Sequence, residues 1–102
     1  MRPMIGERKV YMSTVIYRRD SPKDSIAFLC PDSWSITEQM YALESWLDRE
    51  GRNLEEGNYV ADVGIRARTD FDDGIGGGAA FSPSAMAIMA EKGIYLFISE
   101  YP

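Results

Sequence analysis

The sequence predicts an α+β fold: a two-layer sandwich of a mainly antiparallel four-stranded sheet with two helices on one face, in the order β-β-α-β-α-β. Three observations lead there. Four segments (9–19, 25–30, 58–68 and 94–101) are short, rich in β-branched and aromatic residues, and bounded by Pro, Gly or Asp. Two others, 36–50 and 83–92, carry apolar residues at helical spacing behind a serine. Each helical segment has a single apolar stripe, which has to be covered by a sheet.

The strongest strand signal is NYVADVGIRAR, Asn58 to Arg68. Tyr59, Ala61, Val63 and Ile65 alternate with Val60, Asp62, Gly64 and Arg66, the period of a strand with one buried face. Before it, Lys9–Arg19 reads as a strand with apolar groups on both faces, which suits the sheet interior. Asp20–Asp24 reads as a turn, with Pro22 unable to continue a ladder. Ser25–Cys30 is its return limb, ended by Pro31. Ser35-Ile-Thr-Glu38 is a capping-box pattern opening a helix to about Glu50, with Gly51 expected as the left-handed residue past its end. Ile36, Met40, Leu43 and Leu47 form the stripe of that helix, with Trp46 beside it. Ser82-Pro83 starts a second helix whose contact face is expected from Met86, Met89 and Ala90; Gly93 stops it. Ile94–Tyr101 is the last strand.

Composition narrows the function. At 102 residues the chain is sized for one domain, 1–102, and 45% hydrophobic with 26% charged residues is ordinary for a globular fold. A formal charge of −5 disfavours nucleic acid and anionic membranes and favours a basic protein as partner. No apolar run is long enough to span a bilayer, and the first 13 residues carry charges where a signal peptide needs an apolar stretch. With the single cysteine, these features predict a cytoplasmic protein. There is no histidine, so Ser-His-Asp and Cys-His catalysis and imidazole zinc sites are excluded. No paired acid/base signature stands out, and the expectation is a protein that is not an enzyme and uses no cofactor.

Three places invite a site. The loop Thr69–Gly78 holds Asp70, Asp72 and Asp73 among four glycines. Alternating carboxylates suit a hard cation, but the glycine and the final glutamate of a calcium loop are out of place, and carboxylates repel phosphate from the glycine run. A mobile surface loop, whose glycines supply backbone freedom and which can still order on binding a partner, is the preferred reading. Asp62, Arg66 and Arg68 line one strand face, either gripping an anion or pairing across strands, with Glu100 as one partner. Glu38, Glu44, Asp48 and Glu50 give the first helix an acidic face that continues into Glu55 and Glu56. Such a face is a solvated surface or a docking patch for a basic partner. Trp34, in the polar stretch before the helix, is expected as an exposed anchor, and Cys30 as a small buried apolar residue rather than a nucleophile.

The C-terminal run FSPSAMAIMAEKGIYLFISEY resembles the ending of a small bacterial domain family of unknown function, with its Ser-Pro helix, Gly stop and apolar strand over Ala80–Tyr101. The assembly as a whole resembles the small acidic immunity proteins that bacteria encode beside polymorphic or contact-dependent toxins. That resemblance carries no catalytic residue. It implies a cytosolic, non-enzymatic inhibitor that blocks a basic toxin, often a nuclease, through an acidic surface. A phage- or plasmid-borne inhibitor of a host nucleic-acid enzyme would have the same charge pattern, and a small-ligand or metal-binding domain would use the aspartate loop instead.

Overall fold

The structure, a computed structural model, describes residues 4–5, 10–31, 33–66 and 78–101. In chain order its elements are β1 (Met4–Ile5), β2 (Val10–Arg18), β3 (Ser21–Pro31), α1 (Ile36–Arg49), a 3-10 turn (Gly51–Asn53), β4 (Tyr59–Arg66), α2 (Pro83–Lys92) and β5 (Ile94–Tyr101). The α+β class and both helices agree with the sequence reading. The two-residue β1, paired antiparallel with the start of β2, is an addition to the expected order.

The long strands lie in the order β3-β2-β4-β5. Thr14 is in register with Leu29 on one side and Val63 on the other, so β2 is central, flanked by two antiparallel neighbours. β4 and β5 are parallel, Tyr59 beside Ile94 through to Arg66 beside Tyr101. The sheet is therefore mixed, which corrects the expectation of a mainly antiparallel one. The reason lies in the connections: α1 carries the chain over β2 from β3 to β4, and α2 lies in the crossover from β4 to β5. A helical crossover returns the next strand in the same direction.

The register places Ile16, Ala61 and Val63 on one face with Tyr59 and Ile94, and these pack with Met40, Leu43, Trp46 and Leu47 of α1 and Ala85, Ile88 and Met89 of α2. Both helices thus cover the same face, as the single stripes required. Leu43 and Leu47 are fully buried, and truncating either to alanine costs about 2–5 kcal/mol. Trp46 is core, as expected. The contact face of α2 is Ala85, Ile88 and Met89 rather than the expected Met86, Met89 and Ala90; Met86 and Ala90 face outward.

Three local readings are also corrected. The hairpin turn is only Arg19–Asp20, and β3 begins at Ser21 despite Pro22. Among the described residues β3 pairs with β2 alone, and a proline on an edge strand need not cost a ladder bond. Two register shifts near Tyr17 accommodate the early limb, and the Arg19 N–H donates to the Asn58 carbonyl at 2.9 Å, tying the turn to the entry of β4. Gly51 is not left-handed: α1 ends at a Glu50 cap and Gly51 opens the 3-10 turn. A Cβ there would lie 3.0 Å from Leu47 Cδ2, so glycine serves close packing. Cys30 is half-buried and holds φ 59, an uncommon backbone for a residue with a side chain, immediately before Pro31, which disfavours the right-handed region. Its carbonyl accepts from the Ser13 hydroxyl at 2.9 Å. No helix among the described residues is long and apolar enough to cross a membrane.

Candidate functional site

On α1, the buried residues Gln39, Met40, Leu43, Trp46 and Leu47 occupy one side. At about 3.6 residues per turn the opposite side is Thr37, Glu38, Tyr41, Glu44, Ser45 and Asp48. Of the predicted acidic residues, Glu38, Glu44 and Asp48 therefore share one outward stripe, while Glu50 is exposed at the helix end. Tyr41 stands in that stripe with 79% of its surface in solvent. Composition alone did not single it out, but the heptad-like spacing to Glu44, Ser45 and Asp48 was there to find it.

The stripe borders a cleft of about 280 Å³ between α1 and α2, lined by Tyr41, Glu44, Ser45 and Asp48 on one side and Ser82, Ser84, Ala85 and Ile88 on the other. The Ser82 backbone N–H donates to the Glu44 carboxylate at 3.3 Å, which fixes Glu44 at the mouth of α2. Asp48 pairs with Arg52 one turn on, Nη2 to Oδ1 at 3.0 Å. Both side chains are largely exposed, so this pair contributes at most about 1 kcal/mol and a partner's cation can replace Arg52. At the helix start, the Ser35 hydroxyl accepts from the Glu38 N–H at 3.2 Å, as the capping pattern predicted. The Glu38 carboxylate does not close the box on Ser35 directly: it accepts from the Ser33 hydroxyl, whose oxygen in turn accepts from the Ser35 N–H. Glu38 and Glu44 each serve a helix start, and of the three carboxylates Glu44 and Asp48 are the ones that line the cleft.

The strand-face residues form a separate group. Asp62 and Arg66 do share the face turned away from the helices. Asp62 accepts from the Ser99 hydroxyl of β5, and the Arg66 guanidinium sits 5.6 Å from the Trp34 ring centroid. Glu100 is in register with Ile65, and Arg66 with Tyr101. Trp34 is half-buried, meeting Tyr101 edge-on at 5.6 Å, so it is a packed residue at the sheet's end rather than an exposed anchor. With Ile36, Met40, Ile65, Arg66, Gly78 and Ile98 it lines a mainly apolar pocket of about 480 Å³. Arg68, Asp70, Asp72 and Asp73 lie outside the described residues, and with them the calcium and phosphate readings of the loop. Among the described residues no group of three metal-ligating side chains forms.

One buried polar residue escaped the sequence reading. Gln39 is fully buried in the apolar side of α1. Its Oε1 accepts from the Thr14 hydroxyl of β2 at 2.8 Å, and its Nε2 donates to the Gly64 carbonyl of β4 at 2.6 Å. It locks the acidic helix to two strands at once, which fixes the outward stripe against the sheet. A glutamine one turn past Ile36 in an apolar stripe was the available signal.

Comparison with protein-family models, curated proteins and solved structures found no match, so the functional reading rests on geometry and charge.

Proposed function

We propose that this protein is a non-enzymatic inhibitor of the immunity-protein kind, binding a basic protein such as a toxin or nuclease domain through the outer stripe of α1 and the cleft beside it. The observation that supports this reading is the alignment of Tyr41, Glu44 and Asp48 over a cleft whose floor is Ala85 and Ile88. An exposed aromatic followed along the helix by two carboxylates, above a small apolar floor, fits a lysine or arginine side chain: the stem packs on Ala85 and Ile88 and the cation meets the carboxylates. The −5 charge steers a cationic partner towards the surface.

The test is a pull-down with the purified protein as bait, followed by kinetics on the captured partner. A stoichiometric basic partner is expected, with association slowed by salt. Reversing Glu44 and Asp48 to lysine together should slow association at least tenfold. Tyr41→Ala should mainly speed dissociation. Capture that ignores the charge reversal, or a partner that is not basic, overturns the reading.

A further inference from the structure

The two edges of the sheet are built differently. β3 carries Pro22, Lys23 and Asp24 at its start and the left-handed Cys30 before Pro31 at its end, the devices that keep an edge from pairing. β5 has none of these from Ile94 to Ser99, and among the described residues no strand pairs with its outer edge. Four successive residues there are large, apolar and exposed: Tyr95 at 53%, Leu96 at 44%, Phe97 at 56% and Ile98 at 45%.

The free hydrogen-bonding groups can be assigned. The Tyr59 N–H donates to the Gly93 carbonyl at 2.9 Å, with Tyr59 in register with Ile94. In a parallel ladder the peptide groups alternate, so odd-numbered residues of β5 face β4, and Ile94, Leu96, Ile98 and Glu100 direct their N–H and C=O groups outward. Their side chains lie on the helix-covered face, while Tyr95 and Phe97 lie on the other. The edge therefore offers main-chain pairing with apolar cover on both sides.

We propose that β5 is a self-association edge, pairing antiparallel with β5 of a second copy of this chain about a two-fold axis through Leu96. A two-fold perpendicular to the sheet sets same-face residues opposite one another, so the two paired residue numbers must sum to an even value. Centred on Leu96, Ile94 pairs with Ile98 and Leu96 with Leu96, each exchanging both main-chain hydrogen bonds. On the other face Tyr95 meets Phe97. Glu100 then falls beyond the apolar run, at the Lys92–Gly93 corner of the second copy, where Lys92 already pairs with Glu91 at 3.7 Å. Centred on Phe97 or Ile98, Glu100 would instead face Ile94 or Leu96. The apolar pattern, with no carboxylate set against an apolar residue of the strand, thus selects one register. The joined sheet runs continuously through both copies, with all four helices on one side. The acidic stripe of α1 faces away from the sheet and stays open.

Sedimentation equilibrium over a wide concentration range tests this. The expected species is twice the 11.5 kDa chain mass. Leu96→Glu sets two carboxylates against each other on the axis and should weaken the dimer at least tenfold while leaving the folded circular-dichroism spectrum unchanged. A second pair of variants reads the register without depending on that substitution. An equal mixture of Tyr95→Cys and Phe97→Cys should oxidise to a disulfide-linked dimer of the two variants, because a non-hydrogen-bonded pair holds Cα atoms about 4.5 Å apart with the side chains close, inside disulfide range. Phe97→Cys alone should not, since its own copy is diagonal to it, and the wild type with Cys30 alone is the control. A monomer at every concentration overturns the proposal, as does a dimer indifferent to Leu96→Glu. Phe97→Cys linked to its own copy, in place of the mixed dimer, overturns the register.

Discussion

Gln39 shows how one side chain decides the placement of a surface. The ladder between β2 and β4 stops at Thr14 and Val63, which leaves the Gly64 carbonyl past its end, and the Gln39 amide takes that carbonyl. Gln39→Ala orphans it and the Thr14 hydroxyl together, and an unsatisfied buried group costs about 1–3 kcal/mol. A loss of about 3 kcal/mol is expected in urea unfolding. The cycle with Thr14→Val separates packing from bonding: the two losses should be non-additive by about 1 kcal/mol or more, because both remove the same hydrogen bond. Additive losses would show that Gln39 only fills space. The sequence stripe Ile36, Met40, Leu43 and Leu47 stated where the helix would be buried, but periodicity weighs side chains by polarity and so passed over a glutamine among them. Trp34 was misjudged for the converse reason: a tryptophan in a polar stretch looks exposed until Tyr101 and Arg66 are seen beside it.

Among the elements, α2 is the shortest helix with caps at both ends. The Ser82 hydroxyl accepts from the Ala85 N–H at 3.1 Å, and the Gly93 N–H donates to the Met89 carbonyl at 2.9 Å from a left-handed backbone, φ 79. Ser82→Ala should cost about 1 kcal/mol. Gly93→Ala should cost more, about 3 kcal/mol, since it adds left-handed strain to a collision between the new Cβ and the Gly57 carbonyl. The same measurement checks both, and a smaller loss at Gly93 than at Ser82 would deny Gly57 its role. These caps were legible because Ser-Pro and Lys-Gly are local signals. Gly51 was not, because a glycine after a helix has two uses, a left-handed turn or close packing, and only the position of Leu47 distinguishes them. Strand direction was also illegible. Nothing in Asn58–Arg68 or Ile94–Tyr101 says whether the two run together; that follows from α2 lying in the crossover between them.

For the whole molecule, the acidic helix face and the apolar β5 edge make opposite demands on the solvent. Each copy carries −5, so two copies repel as they approach, whereas a basic partner is attracted. Raising ionic strength shortens the Debye length from about 8 Å at 0.15 M to about 3 Å at 1 M, which weakens both effects. The self-association constant should therefore rise with salt, while the rate of capture of a basic partner should fall. Sedimentation equilibrium and stopped-flow binding, each run from about 0.05 to about 0.5 M salt, read the two slopes. Opposite signs mean two independent surfaces, one on α1 and one on β5. If self-association weakens with salt instead, the contact between copies is ionic and draws on the acidic stripe, and the Leu96 axis is wrong. If Leu96→Glu abolishes the dimer and leaves capture rates unchanged at every salt, an inhibitor built as a joined sheet presents two acidic faces on its helix side, one for each partner.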